Sequence, residues 1–274
     1  AATADSADAA LVLGDTARIT ARAKNASTAT TEYDRGSVTL QAQNGRIQLA
    51  QDATIDVSPA QGSGNSAAVS AYGGTVNLRA QQDAAANSIA IDIVAGSLAD
   101  KTIVQGASTV TVEGFKTYDT SSTTLSTALK TQIKNDAVAF GKWSDDIQNQ
   151  LAGLTSGAIT LRAGAEIDAA SDFKVASTWN LWTATGYTPI NLTLRAAGTL
   201  TVAASLSDGF SASGVAQTGQ ASSFTLVGGA DLSSADVLAT NNGAGDVVIG
   251  GSAAVVVRST TGDIAVASGN DITF

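Results

Sequence analysis

The chain has 274 residues, a formal net charge of −9, only 14% charged residues, and neither cysteine nor histidine. That composition excludes disulfides and thiolate metal sites, and it removes the Ser-His-Asp triad, histidine-ligated zinc and imidazole acid–base chemistry. A mildly acidic surface is unsuited to nucleic-acid phosphates, and no apolar run is long enough to span a bilayer.

One short phrase recurs along the chain. It reads Ser-Val-Thr-Leu-Gln-Ala at 37–42, Thr-Val-Asn-Leu-Arg-Ala at 75–80, Ala-Ile-Thr-Leu-Arg-Ala at 158–163 and Asn-Leu-Thr-Leu-Arg-Ala at 191–196. Successive strand residues face opposite ways, so Val38, Leu40 and Ala42 share an inward face with their equivalents Val76, Leu78 and Ala80, Ile159, Leu161 and Ala163, and Leu192, Leu194 and Ala196. Gln41, Arg79, Arg162 and Arg195 then face outward.

After the phrase at 37–42, a small-residue corner at 43–45 leads to a second run with Ile47 and Leu49 inward, and a third run carries Ile55 and Val57. Residues 58–74, rich in Gly, Ser, Ala and Asn, read as a surface loop. The period changes over about 117–155. There Leu125, Leu129, Ile133 and Ala137 recur every four residues, and after Gly141 the series restarts as Trp143, Ile147, Leu151 and Leu154. Two short amphipathic helices are predicted, with Ser144 as the second helix's N-cap, Asp145 and Asp146 in its first turn and Gly153 at its end. Their apolar stripe should lie on the strands.

Past the third phrase copy, Ile167 and Ala169 are read as a second run, and Phe173 and Val175 as a third. Residues 178–189 form an insertion carrying Trp179, Trp182 and Tyr187. After the copy at 191–196, Leu200 and Val202 hold the second run, and weaker copies of the phrase follow at 223–226 and 246–249. The chain given stops within an alternating run at 270–274, which leads to the expectation of a segment of a longer polypeptide whose solenoid continues.

Three short runs per repeat without hairpin signals predict an all-β fold, a right-handed parallel β-helix of roughly six to seven coils with loop insertions and one small α-helical insertion. An antiparallel sandwich is the alternative. The organisation is N-terminal coils over 1–116, the helical insertion packed on the solenoid over 117–156 and C-terminal coils over 157–274, as one continuous solenoid.

The stretch 194–210, ending in Ser-Leu-Ser-Asp-Gly-Phe at 205–210, together with Leu-Arg-Ala-Gly-Ala-Glu-Ile at 161–167 and the tryptophan-containing loop between them, resembles the filamentous-haemagglutinin family of large two-partner-secreted exoproteins. The resemblance implies the right-handed β-helix, export through an outer-membrane transporter to the bacterial cell surface or exterior, and a role in adhesion, aggregation or biofilm. The scattered spacing of the carboxylates, with no histidine or cysteine, leads to the expectation of no enzyme, metal or cofactor. The partners the resemblance implies are an exopolysaccharide or a host or bacterial surface glycan, the transporter for the parent chain, and self-association.

Two groups of residues are candidate glycan contacts. Arg79, Arg162 and Arg195 would form an outward ladder able to hold an anionic glycan if their coils stack in register. Trp179, Trp182 and Tyr187 could stack on sugar faces, with the plainer reading that such rings, Trp143 included, glue an insertion to its scaffold. The alternative function is a polysaccharide-active enzyme or carbohydrate-binding module on the same scaffold, for which Glu113, Glu166, Asp168, Asp172, Asp208 and Asp236 are the available carboxylates. Ice binding by threonine rows fits less well, since the outward position changes among Thr39, Asn77 and Thr160.

Overall fold

A computed structural model describes residues 2–4, 10–22, 36–59, 73–96, 101–182 and 188–274. Among them the chain is mostly strand, paired mainly in parallel, with two helices, α1 (Thr127–Gly141) and α2 (Ser144–Gln150). It divides into two compact units, one formed by residues 1–114 and 143–161 and the other by 115–142 and 162–274.

In the first unit, strands come in triplets. Ser37–Ala42, Arg46–Ala50 and Thr54–Asp56 follow one another along the chain, each paired in parallel with a strand of another repeat. The apolar positions stack in register: Val38 on Val76, Leu40 on Leu78, Ile47 between Leu11 and Ile91, and Ile55 between Ile19 and Val104. Period-two alternation aligns these side chains, and Ile47, Leu49, Ile55 and Val76 are fully buried. Burying each such side chain contributes about 1.5–3 kcal/mol. The parallel rule has one departure here, an antiparallel pairing of Ser88–Ile89 with the end of Gly74–Asp83 across a turn where Asn87 has φ +52°.

The second unit repeats the scheme. Ile190–Ala196, Leu200–Val202 and Leu206–Asp208 form one triplet, stacked against strands of its neighbours. The inward ladders run Leu192, Phe224, Ile264; Phe173, Leu200, Val247, Ile272; and Trp179, Leu206, Val257.

Several expectations are corrected by this register. The phrase copies at 158–163 and 191–196 do not pair with each other: Ala163 lies opposite Ile190, and Ala169 opposite Ala196, a slip of six residues. An even slip keeps every side chain on its face, so alternation alone does not reveal it. Ile167 therefore belongs to the first strand of its triplet, and Phe173 and Val175 to the second rather than the third. Val247 and Ile249 pair with Leu200 and Val202, so 246–249 is a second run, and the first-run copy is Ile264–Ser268. Residues 117–120 end the long strand Ala107–Thr120 instead of opening the helical insertion. The predicted loop at 58–74 lies largely outside the described residues.

The two helices form where the four-residue spacing places them. Ser126 caps α1, its hydroxyl accepting from the Leu129 amide at 3.1 Å, and Ile133, Ala137 and Phe140 are buried. Ser144 is the first residue of α2, whose N-cap position is Trp143 and has no side-chain cap. Asp145 and Asp146 do occupy the first turn, and Gly153, with φ +87°, turns the chain beyond the helix.

Candidate functional site

The outward positions of the second unit's first strands bring charge together. Alternation turns Arg195 away from its core neighbours Leu194 and Ala196, and pairing sets it opposite Asp168 rather than Arg162. Its guanidinium is fully buried. Nη1 donates to Glu166 Oε1 at 2.7 Å and to Asp168 Oδ2 at 3.4 Å, and Nη2 donates to the carbonyls of Asp231 at 2.5 Å and Ser234 at 3.2 Å. The loop holding those carbonyls is fixed by its own turn chemistry. The Asp231 carboxylate accepts from the Ser233 amide and hydroxyl, which holds it below the usual carboxylate range.

Beside this cluster the second unit carries two shallow recesses. One, of about 340 Å³, is lined by Asp119, Thr120, Ser121, Asp168, Ala170 and Leu232. The other, of about 550 Å³, is lined by Thr123, Ala170, Ser171, Asp172, Ala197 and Gly198. They share Ala170 and form one trough of carboxylates, hydroxyls and small residues. Gly198 is required there: a Cβ on it would lie 2.2 Å from Asp172 Oδ1, the atom that accepts from the Thr199 amide at 2.8 Å. The trough offers hydrogen-bond acceptors and hydroxyls to a hydroxylated ligand. Among the described residues its lining contains no cation and no aromatic ring.

The predicted glycan contacts are not gathered at that trough. Arg195 is enclosed by protein. In the first unit Arg79 is 8% exposed, with Nε donating to Glu113 at 3.1 Å and Nη1 to Gln43 at 3.1 Å. Arg162 is half-buried and precedes Ala163, whose partner is Ile190, so Arg162 and Arg195 do not stack as a ladder. Trp179, 4% exposed, belongs to the inward ladder with Leu206, and its ring lies 5.8 Å from Lys130 Nζ. That burial withdraws it from sugar stacking. Trp182 is half-buried and Tyr187 lies outside the described residues.

The carboxylates considered for catalysis are dispersed into structural bonds. Glu113 pairs with Arg79, Glu166 with Arg195, Asp208 accepts from the Ser222 amide at 2.5 Å, and Asp236 accepts from the Leu238 amide at 3.0 Å. A proton donor needs a carboxyl displaced upward. Hydrogen bonds hold the carboxyls of Asp56, Asp92, Asp231 and Asp246 below the usual range, which is the opposite direction. Among the described residues no group of three or more metal-ligating side chains is assembled, and no helix is long and apolar enough to cross a membrane.

Sequence reasoning missed a set of strand-edge contacts made by 121–157. Lys130 Nζ donates to the Ser177 carbonyl and hydroxyl, each at 2.8 Å, and Lys134 Nζ to the Asn180 carbonyl at 3.0 Å. Burial lowers both lysine pKa values. The one sequence sign was two lysines four residues apart beside the apolar stripe, a spacing that also suits a solvated face. Compared with protein-family models, with curated proteins and with solved structures, the chain matches none.

Proposed function

We propose that the strand triplets wind as a right-handed parallel β-helix and that the chain is a structural and adhesive rod segment of a secreted bacterial surface exoprotein. The observation that carries this reading is the register of the apolar ladders. In both units each triplet buries its inner residues against the next, in parallel, which is how a solenoid gains length. Right-handedness follows from the general rule for parallel crossovers. The resemblance of 194–210 to filamentous-haemagglutinin exoproteins supplies the surface setting, the adhesion, aggregation or biofilm role, and the transporter for the parent chain.

Adhesion on this reading uses the outer faces and loops without chemistry. The engagement of Glu113 and Glu166 by arginines and the enclosure of Arg195 and Glu166 favour structure over turnover. The acidic, hydroxyl-lined trough favours a neutral glycan over an anionic one, since Asp119 and Asp172 in its lining repel an anion. The trough is also the observation that keeps a polysaccharide-active enzyme or carbohydrate-binding module as the second reading.

The test is adhesion of glycan-coated beads to a film of the purified chain, with the soluble polysaccharide sized before and after incubation. Retained beads and unchanged polysaccharide are expected. Shortened polysaccharide would transfer the chain to the enzymatic reading. The variant Asp172→Ala is expected to weaken retention if the trough is the contact, whereas Trp179→Ala acts through stability because the ring is core.

A further inference from the structure

We propose that Arg258, stacked on Phe210 beside the loop 211–217, is a binding site for the carboxylate of an acidic sugar. The site lies wholly within the second unit. It is built from one strand and one loop, so it stands whether or not the chain serves as an adhesive rod.

Val257 continues the inward ladder of Trp179 and Leu206, and alternation turns Arg258 to the outer face, opposite Ser207. Elsewhere in the chain arginines find acids: Arg18 and Arg22 bind Asp56, Arg46 binds Asp92, Arg79 binds Glu113 and Arg195 binds Glu166. Arg258 differs. Among the described residues its side chain makes no ion pair or hydrogen bond, only the stack, with Cζ 3.9 Å from the centre of the Phe210 ring. Acids outnumber bases in this chain by 24 to 15, so scarcity of partners is not the reason.

A guanidinium carries its N–H donors in its own plane, so a ring against one face leaves the donor edge free. The ring also keeps water from that face, which strengthens what the edge then binds. Two parallel donors match the two oxygens of a carboxylate.

The loop supplies hydroxyls beside this fork. It is closed by the Ser211 amide donating to the Val215 carbonyl at 2.8 Å and the Gln217 amide donating to the Gly209 carbonyl at 2.7 Å. Gly214, with φ +81°, brings the tip beside the arginine: a Cβ built on it would lie 3.9 Å from Arg258 Nη2. The hydroxyls of Ser211 and Ser213 lie 2.9 Å apart, and their mutual bond uses one hydroxyl hydrogen and leaves the other for a ligand. Val215, 61% exposed, adds apolar surface suited to the C–H face of a sugar ring. Asn180 is a positioning residue, its Nδ2 donating to the Phe210 carbonyl at 2.8 Å. Asp208, two residues before Phe210, is fully buried and accepts from the Ser222 amide, so it does not compete for the fork. Fork, hydroxyls and apolar strip together select a carboxylate on a hydroxylated ring over an acidic peptide, which would use the fork alone.

NMR titration of the intact chain with trigalacturonate, compared with neutral galactotriose and a short polyglutamate, tests this. Trigalacturonate is expected to move the Arg258 Nε–H and Gly214 amide signals saturably and to bind at least about tenfold more tightly than the neutral trisaccharide, the span of one charge-assisted pair of hydrogen bonds. Arg258→Gln should weaken binding by about tenfold or more, and Arg258→Lys, which keeps the charge without the fork, by nearly as much. Ser213→Ala, at an exposed turn, should cost about threefold and decides the matter if the arginine variants fail to fold. The proposal is overturned if trigalacturonate binds no better than galactotriose, or if Arg258→Gln, or in its place Ser213→Ala, binds as the parent does. Full affinity in Arg258→Lys would reduce the site to charge attraction and overturn it too. Polyglutamate binding as tightly through Arg258 would overturn the choice of a sugar.

Discussion

Arg79 in the first unit and Arg195 in the second sit in the same phrase, Leu-Arg-Ala, at the same outward position of a first strand, yet they live in different surroundings. Side-chain exposure is 10% for Arg79 and 14% for its partner Glu113, but 0% for both Arg195 and Glu166. The difference comes from residues remote in sequence. The loop at 231–234 lies over Arg195 and offers it two carbonyls, whereas Arg79 finds Gln43 and Glu113 on neighbouring repeats. A repeated phrase therefore specifies which way a side chain points, and the neighbouring turns specify how much water it meets.

The largest effect should come from breaking the enclosed pair. Arg195→Met leaves Glu166 buried without its counter-charge, and a loss of about 3–5 kcal/mol is expected in denaturant unfolding. The double variant Glu166→Met/Arg195→Met should recover part of that loss, because the fully buried carboxylate goes with the guanidinium and only Asp168, 10% exposed, is left of the cluster. Equal destabilisation of the single and double variants would show that the carbonyl contacts, and not the pair, dominate. Arg79→Met in the first unit is expected to cost less, about 1–3 kcal/mol, as its partner keeps some water. The bidentate pair of Arg46 with Asp92, at 2.7 and 2.6 Å but 41% and 36% exposed, completes the series with a coupling of at most about 1 kcal/mol in a double-mutant cycle. A coupling order that ignores exposure would break the comparison.

The smallest expected effect is on pH dependence. Burial pushes the Asp56 carboxyl up, but hydrogen bonds from Arg22 and Ser58 outweigh it and hold it down at about 2. In an unfolded chain an aspartate titrates near ~3.9, so the folded first unit resists the proton. That stabilisation is complete above the unfolded value and fades as pH falls through ~4 toward ~2. Asp56→Asn should flatten this part of an acid-unfolding curve, read by circular dichroism, and leave the rest of the curve unchanged.

The sequence made the inward faces legible and left the register obscure, for a physical reason. Leu40, Leu78, Leu192 and Leu194 declare themselves because burial selects apolar residues at period two, and all four are buried. The pairing of Ala163 with Ile190 does not declare itself, because a slip by an even number leaves the alternation intact. Trp179 looked like a loop residue since only Asn180 shares its strand, and two residues are too few to carry a period. Lys130 and Lys134 were silent because a lysine meeting a strand edge and a lysine meeting water occupy the same helical spacing. The candidate trough was less legible still, being assembled from turns whose residues are small and polar wherever chains corner.

The chain path through the two units has a consequence in time. Residues 1–114 belong to the first unit, but Gln150, Gly153 and Leu154, which hydrogen-bond Ile91, Ile103 and Val104 of that unit, come after α1, which belongs to the second. A chain emerging N-terminus first would lay down most of one unit and then begin the other before it could finish the first. The unit that starts earliest must wait for those bonds while more than thirty further residues emerge, so its completion is governed by the schedule of delivery as well as by its own stability.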